Sequence, residues 1–297
     1  MVTATERQPA EQLHLFWDEC RRRTEAELER WLPLRDDDLS RLQDAMRHAV
    51  LGGGKRLRPT LAAAAFASLD GRGEAIYTVG AALEILHSYS LVHDDLPCMD
   101  DDDQRRGRPT VHVAFDDATA VLAGDALHAL AFEILARHAP AEVLAAVAAA
   151  VGPDGMVGGQ VADIEAEGKK PTEEVVTRIH RRKTGALIIA SVLTGGMMAG
   201  ADGETLRQLE RYADPLGFAF QIVDDILDLT QSAEMLGKPA GSDLKHDKAT
   251  YPGAVGLDRA REKAEALAAE ARAALDGYPG DPTLLLALAD FIVARDH

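Results

Sequence analysis

The stretch EAIYTVGAALEILHSYSLVHDDL, residues 74–96, decides the fold class. Its apolar residues recur three and four positions apart, at Ile76, Val79, Leu83 and Leu86, which is the spacing of one helical face. The same spacing recurs over residues 122–134, whereas the alternating patterns typical of strands are almost absent. The sequence therefore predicts an all-α fold.

Breaks rich in glycine and proline divide the chain into segments of helical length, without the change of composition that would mark a second domain. The uncharged run 184–201 is long enough for a short membrane span, but its four glycines favour a buried helix followed by a turn. We predict one domain of about a dozen helices over residues 13–297, after a mobile tail at 1–12, with no membrane span. The breaks fall at residues 71–73, 152–155, 168–171, 237–242 and 277–282.

Composition and charge exclude several classes of protein. A chain of 297 residues with 46% hydrophobic residues can bury a large core, which excludes disorder as the main state. The net charge of −17 argues against general affinity for nucleic acid or anionic membranes. Cys20 and Cys98 lie far apart, so a disulfide scaffold is not expected, and the polar N-terminus does not resemble a signal peptide. A cytoplasmic protein is expected.

Two aspartate clusters carry the chemistry. Six of the ten residues over 94–103 are aspartates, and Pro97 can turn the chain so that Asp100 returns toward Asp94. A second cluster, DDILD at 224–228, lies inside an apolar helical frame. A solvated acidic loop would explain the first cluster alone, but carboxylates crowded on one face of an apolar helix need a compensating cation.

The absence of histidine or cysteine partners favours a hard cation. Magnesium typically takes one or two carboxylates together with substrate phosphate oxygens. Calcium is the structural alternative, but neither cluster has the loop of an EF-hand. Clusters of basic residues suited to phosphate lie at 52–59, 104–107 and 182–185, with Lys238 and Lys248 after the second aspartate cluster, although each alone is typical of a solvated surface.

These motifs resemble the polyprenyl synthetases, the short-chain trans-isoprenyl diphosphate synthases, and among them the bacterial farnesyl diphosphate synthase type. The matching pieces occur in family order from about residue 45 to the C-terminus. Pro215 departs from the pattern and could kink the helix before the second motif. The pieces are GGGKRLRP, LEILHSYSLVHDDLPCMDDDDQRRGRPT, LAGDAL, GMVGGQVADIEAEGK, RRKTGAL, FQIVDDILD, LGKPAGSDLKHDKATYP and ARDH.

The resemblance implies a helical bundle around a deep central cavity, usually in a homodimer, that condenses isopentenyl diphosphate with an allylic diphosphate. It implies several magnesium ions on the allylic diphosphate, bound by Asp94, Asp95, Asp100, Asp224, Asp225 and Asp228. The same diphosphate would be contacted by Arg105, Lys183, Lys238 and Lys248. Isopentenyl diphosphate would be held by Lys55, Arg58, His87 and Arg106. The allylic cation would be stabilised by Thr184, Gln221 and the backbone at Lys183.

Product length is predicted from Tyr89, five residues before Asp94 and about 7.5 Å deeper along the helix. An aromatic residue there resembles the floor residue of farnesyl synthases, although ordinary core packing would also explain it. Farnesyl diphosphate is the expected product and geranylgeranyl diphosphate the alternative. A class I terpene cyclase, a non-catalytic synthase homologue and a calcium-buffering helical protein are the remaining alternatives.

Overall fold

The computed structural model describes the backbone of residues 4–230 and 248–295, and the side chains from residue 9 onward within those ranges. The described chain is helical apart from one short hairpin and the connecting turns, so the predicted all-α class is confirmed. The first half comprises α1 (Ala4–Trp31), α2 (Ser40–Val50), α3 (Leu57–Ser68), α4 (Ala75–Asp94), β1 (Gln104–Arg105), β2 (Arg108–Pro109), α5 (Val111–Ala114) and α6 (Asp117–His138). The second half comprises α7 (Ala141–Val151), α8 (Met156–Ala166), α9 (Glu173–His180), a π-helical turn (Arg181–Gly185), α10 (Ala186–Met198), α11 (Gly203–Thr230), α12 (Tyr251–Val255), α13 (Leu257–Ala274) and α14 (Thr283–Ala294).

Helix α4 lies at the centre of one half of the protein, where it packs against α1, α3 and α6. Its predicted apolar residues are fully or almost fully buried, as are the small residues between them. Burying each large aliphatic side chain stabilises the fold by about 1.5–3 kcal/mol. A second core forms around α11, which packs against α10 and α13. The functional cavity lies between these two helices, α4 and α11.

Two glycines allow helices to approach closely, one of them beside the cavity. A Cβ atom on Gly195 of α10 would collide with the carbonyl oxygen of Ala62 in α3. A Cβ atom on Gly159 of α8 would collide with the backbone of Lys183 in the π-helical turn. Because no other residue fits at these crossings, α8 and the turn form one continuous wall of the cavity.

The hairpin is the main element that the sequence pattern missed. Its tip is a two-residue turn in which Arg106 and Gly107 have φ values of 54° and 71°. These positive values are typical of a type I′ turn, whose twist matches that of the paired strands. Two-residue strands are too short to show an alternating pattern, so the sequence analysis could not detect them.

The remaining sequence predictions concern α1, α10 and α11 and the long apolar helices. The run 184–201 forms α10 and a following turn, as predicted, and α11 continues through Pro215 without interruption. Helix α1 begins at Ala4, inside the predicted tail; the mobility of residues 1–12 and the domain bounds stay predictions. By length and composition alone, residues 75–94, 117–138 and 141–166 could each cross a membrane. The first of these is α4, which is mostly buried inside the protein.

Candidate active site

A cavity of about 740 Å³ opens between α4 and α11. Its volume lies within the range of protein pockets that enclose small-molecule ligands. Helix α8 supplies a largely apolar wall, and the charged residues come mainly from α4, the π-helical turn and α11. The cavity therefore combines an apolar surface with acidic and basic groups, as a ligand with a hydrocarbon part and a charged part would require.

The first aspartate motif begins at Asp94, the last residue of α4. Pro97 ends the helical path, and the chain turns back so that the Asp100 N–H donates to the Asp94 carbonyl oxygen at 2.8 Å. The side chains of Asp94 and Asp100 both line the cavity. The return of Asp100 that Pro97 predicted is confirmed.

Asp95 faces a smaller neighbouring pocket rather than the main cavity. Its Oδ1 accepts a hydrogen bond from Arg105 Nε at 2.7 Å and lies 2.5 Å from Arg105 Nη2. Adjacent residues at the end of a helix differ in direction by about 100°, so Asp94 and Asp95 face different sides. In this structure Asp95 anchors Arg105, which itself lines the cavity.

The second aspartate motif lies on α11 and also faces the cavity. Asp224 Oδ1 is 2.7 Å from Nη2 of Arg295, which follows α14. Both oxygens of Asp225 accept hydrogen bonds, from Gln221 Nε2 at 3.1 Å and from the Tyr251 N–H at 2.7 Å. Asp228 is buried at the cavity wall.

Two lysines connect the first aspartate motif with acidic residues in and just after α8. Lys183 Nζ lies 2.7 Å from Asp163 and 3.9 Å from Asp94. Lys248 Nζ lies 2.7 Å from Asp100, 2.6 Å from Glu167 and 3.5 Å from Asp163. These ammonium groups neutralise the carboxylates that would otherwise repel one another.

Burial and these pairs determine the pKa values of the site. Burial raises the pKa of Asp94 to about 6 and that of Asp225 to about 7. Burial also acts on Asp163, but Lys183 and Lys248 more than offset it and hold its pKa below the usual value. Burial lowers the pKa of Lys183, but nearby carboxylates outweigh it and leave that pKa raised. Both lysines are therefore charged at neutral pH.

A second basic group lies beside the turn at residues 52–56. Lys55, Arg58, His87 and Arg106 all line the cavity, and an Arg106 N–H donates to the Gly53 carbonyl oxygen. Burial lowers the pKa of Arg58 to about 10, and its buried Nε has no hydrogen-bond partner among the described residues. Burial and the surrounding arginines hold the pKa of His87 well below its usual range, so its imidazole is neutral. This arrangement suits an anion with several oxygens.

Thr184 and Gln221 form a hydrogen-bonded pair in the cavity wall. Thr184 Oγ1 donates to Gln221 Oε1 at 2.7 Å, and the Gln221 amide in turn donates to Asp225. Thr184 belongs to the π-helical turn, an irregularity that is frequent at functional sites. The chain of bonds fixes dipolar oxygens next to the cavity.

Tyr89 also lines the cavity, on the face of α4 that meets α6. Its ring makes edge contacts with His128 at 4.8 Å and His93 at 5.9 Å between centroids. Only 7% of Tyr89 is exposed, so the ring is held firmly in place. His93 also lines the cavity, whereas His128 of α6 does not.

The donor set fits magnesium bound together with a ligand. Within residues 4–230 and 248–295, no three acidic, histidine or cysteine side chains gather into a group that could hold a metal alone. Magnesium usually takes one or two carboxylates and completes its shell with water and phosphate oxygens. Asp94 and Asp100 on one wall and Asp224 on the other offer such oxygens, and a bound cation would favour the ionised form of the buried Asp94.

The structure brings most of the residues singled out in the sequence to one cavity. The exceptions are Asp95, in the neighbouring pocket, and Lys238, which lies outside the described residues. Sequence reasoning missed Asp163, Glu167 and Arg295, although the pieces GMVGGQVADIEAEGK and ARDH contain them. Their roles could not be recognised from the sequence because the groups that they contact lie far away along the chain.

The helical bundle and the cavity with an aspartate motif on each wall define an isoprenoid synthase. A family model described as polyprenyl synthetase matches residues 39–275. The chain belongs to the polyprenyl synthetase family, and it is a trans-isoprenyl diphosphate synthase, a prenyltransferase.

Relatives with two product names are equally similar to the chain. The farnesyl diphosphate synthase of Bacillus subtilis is 44% identical over 264 residues, covering 86% of this chain and 89% of the relative. The geranylgeranyl diphosphate synthase of Cyanophora paradoxa is also 44% identical over 264 residues, covering 86% and 88%.

Solved structures show the same fold. An FPP/GFPP synthase from Zymomonas mobilis has a TM-score of 0.85 at 40% identity, covering 96% of this chain and all of that chain. A geranyltransferase from Helicobacter pylori, complexed with magnesium and isoprenyl diphosphate, has a TM-score of 0.83 at 33% identity, covering 94% and 96%.

Proposed function

We propose that this prenyltransferase condenses isopentenyl diphosphate with dimethylallyl and then geranyl diphosphate, and that its product is farnesyl diphosphate. The position of Tyr89 carries this proposal, because a growing hydrocarbon must extend away from the aspartates, and a large ring in the cavity wall limits how far it can grow. Geranylgeranyl diphosphate is the second candidate, since relatives with that name are as similar as farnesyl synthases.

The allylic diphosphate is proposed to bind between the two aspartate motifs, with Arg105, Lys183 and Lys248 as its direct cationic contacts. Support comes from the position of these cations, each of which lines the cavity close to an aspartate. Magnesium would be held by Asp94, Asp100 and Asp224, with Asp225 and Asp228 next to them, and the ions would neutralise the leaving diphosphate as its bond breaks. The Helicobacter pylori relative was solved with magnesium and isoprenyl diphosphate, which supports this choice of metal.

Isopentenyl diphosphate is proposed to bind at Lys55, Arg58, His87 and Arg106. The Nε of Arg58, which has no partner within the described part of the chain, and the neutral imidazole of His87 offer hydrogen bonds that a diphosphate can accept. This location leaves the double bond of isopentenyl diphosphate free to reach the allylic carbon inside the cavity.

The chain's own residues then have distinct roles. Lys183, Lys248 and Arg105 bind the departing diphosphate through charge-assisted hydrogen bonds. The oxygens of Thr184 and Gln221 stabilise the allylic cation by their dipoles, and because they are weak nucleophiles they do not capture it. No protein general base is needed, since the departed diphosphate can accept the proton lost after attack.

Product sizing tests the proposal. The protein is incubated with magnesium, radiolabelled isopentenyl diphosphate and each allylic diphosphate in turn, and the products are separated by chain length. We expect farnesyl diphosphate as the main product from either starter, and no product in EDTA. A main product of geranylgeranyl diphosphate would refute the chain length, and activity that persists in EDTA would refute the metal site.

A homodimer is also proposed. Leu122 of α6 is 58% exposed and Val121 is 42% exposed, on a helix whose apolar face is incompletely covered within one chain. A second copy would cover this face. Light scattering after size exclusion should give twice the chain mass for the wild type and a smaller mass for Leu122→Asp. The matched control is Leu15→Asp, at a leucine of 65% exposure on α1, which should stay dimeric.

We propose a reducing compartment, the cytoplasm, as the setting of the reaction. Cys20 and Cys98 are both free thiols, one buried and one exposed, so the fold has no need of an oxidising environment. Titration of the unfolded purified protein with a thiol reagent should find two reactive groups.

A further inference from the structure

A buried ion pair lies beneath the basic turn at residues 52–56. Arg56 Nη1 donates to Glu84 Oε1 at 2.9 Å, and the two side chains are only 1% and 2% exposed. Arg56 Nη2 donates to the Val50 carbonyl oxygen, also at 2.9 Å. Neither Arg56 nor Glu84 lines the cavity. The Arg56 guanidinium therefore bonds two groups inside the protein and does not face the cavity.

This pair ties three helices together. Val50 is the last residue of α2, Arg56 immediately precedes α3, and Glu84 lies in the middle of α4. The Arg56 carbonyl oxygen also accepts hydrogen bonds from the backbone N–H and the hydroxyl of Thr60. Movement of any one of these helices would therefore have to break a buried charge-assisted bond.

The cations of the cavity are attached to the same framework. Lys55 and Arg58 flank Arg56 in sequence, and His87 lies one turn after Glu84 on α4. Burial lowers the pKa values of Arg58 and Arg106, and the Glu84 carboxylate opposes that effect in both. Glu84 thus lies close enough to Arg58 and Arg106 to help keep both guanidinium groups charged.

Stability alone gives no reason for this arrangement. A buried ion pair is often no more stabilising than apolar residues of similar volume, because both charges lose their hydration. Arg56 also has a φ of 53°, a left-handed conformation that is unfavourable for a residue with a side chain. The bond to Glu84 holds the turn in this conformation, which fixes where Lys55 and Arg58 point.

We propose that Arg56 and Glu84 are positioning residues for isopentenyl diphosphate: they hold Lys55, Arg58 and His87 at the spacing that a diphosphate requires. This inference rests on the proposed assignment of those cations to isopentenyl diphosphate. Neither residue lines the cavity, and their loss should weaken the binding of isopentenyl diphosphate but not that of the allylic diphosphate.

Steady-state kinetics of three variants test the inference, with KM measured for each substrate at saturation of the other. Arg56→Lys keeps the charge but replaces the planar two-nitrogen fork by a single ammonium nitrogen, which weakens the paired bonds to Glu84 and Val50. The double variant Arg56→Met/Glu84→Leu removes both buried charges. Many proteins tolerate this kind of replacement with little loss of stability. Arg272→Lys is the matched control, at the exposed pair with Asp290 on α13 and α14.

For the substrate isopentenyl diphosphate, we expect KM to rise about fivefold in Arg56→Lys and about tenfold or more in the double variant. KM for the allylic diphosphate should stay within about twofold, and Arg272→Lys should change neither constant. A role in stability alone would lower the melting temperature and the active fraction while leaving both KM values unchanged, which would overturn the inference. Equal rises in both KM values would overturn it too.

Lys55→Ala separates the two proposals. If Lys55→Ala raises KM for isopentenyl diphosphate while Arg56→Lys and the double variant leave it unchanged, the positioning role is wrong and the binding assignment stands. If Lys55→Ala itself leaves that KM unchanged, the assignment of the basic group is wrong. Should the double variant fail to fold, Arg56→Lys alone decides, because it retains the buried charge.

Discussion

Truncation of Tyr89 should lengthen the product. Tyr89→Ala removes a ring that lines the cavity and makes edge contacts with His93 and His128. Burying the carbons of one more isoprene unit is worth about 4 kcal/mol at about 0.8 kcal/mol per methylene. If the variant cavity recovers only a third of this free energy, the rate of further elongation relative to product release rises about tenfold. We therefore expect geranylgeranyl diphosphate to become a major product.

The same change has a cost in stability. Truncating a fully enclosed aromatic residue to alanine lowers the free energy of unfolding by about 3–5 kcal/mol. Tyr89 already borders an open cavity, so we expect a smaller loss of about 2–3 kcal/mol, much of it from two edge contacts worth about 0.5–1.5 kcal/mol each. In a chain of this size that corresponds to a drop of roughly 3–5 °C in melting temperature.

The assay sizes the products of wild type and variant at equal turnover, and records thermal unfolding beside it. Tyr77→Ala is the matched control, since Tyr77 is a half-buried tyrosine on the same helix that does not line the cavity. It should lose stability without lengthening the product. A folded, active Tyr89→Ala enzyme that still releases only farnesyl diphosphate would refute the reasoning.

Three further predictions concern charge. Asp94→Ala or Asp224→Ala should lower turnover at saturating magnesium by about a thousandfold or more. Asp94→Ala should do so with no loss of melting temperature at neutral pH, because burial makes ionisation of that carboxyl unfavourable in the fold. Lys55→Ala should raise KM for isopentenyl diphosphate about tenfold, and Lys183→Ala should do so for the allylic substrate. Asp225 has a folded pKa of about 7 against about 3.8 unfolded, so ionisation costs the fold stability as the pH rises between these values. In EDTA, Asp225→Asn should therefore gain melting temperature relative to wild type from pH 4 to pH 7.

Each of these three predictions would be contradicted by a specific result. Near-normal turnover of Asp94→Ala would exclude the metal site, and equal effects of Lys55→Ala and Lys183→Ala on both substrates would exclude separate pockets. A difference in melting temperature between Asp225→Asn and wild type that does not change with pH would show that this carboxyl ionises as freely in the fold as in the unfolded chain.

The helices and the turn of the first aspartate motif could be predicted because their signals are local, whereas the central cavity was expected from the family resemblance. The apolar spacing in α4 requires only neighbouring residues, and Pro97 alone indicates the turn that brings Asp100 back to Asp94. The geometry of a helix also bears on the first motif: about 100° separates neighbouring side chains, so Asp94 and Asp95 point in different directions. That constraint was available from the sequence, and it agrees with the pairing of Asp95 with Arg105.

The partners of the aspartates could not be predicted. Asp224 pairs with Arg295 and Asp100 with Lys248, across 71 and 148 positions of the chain. Such distances depend on how several helices pack, and one sequence carries no record of that packing. For the same reason the buried contact of Arg56 with Glu84 is visible only in the fold.

The hairpin between β1 and β2 couples the two halves of the site. Arg105, the last residue of β1, bonds the first aspartate motif, while its neighbour Arg106 at the tip bonds the turn that carries Lys55. Two adjacent residues of a tight turn cannot move independently, so a ligand that shifts one shifts the other. Thermodynamic linkage then makes the effect mutual: if the allylic diphosphate tightens the binding of isopentenyl diphosphate by some factor, isopentenyl diphosphate tightens the binding of the allylic diphosphate by the same factor.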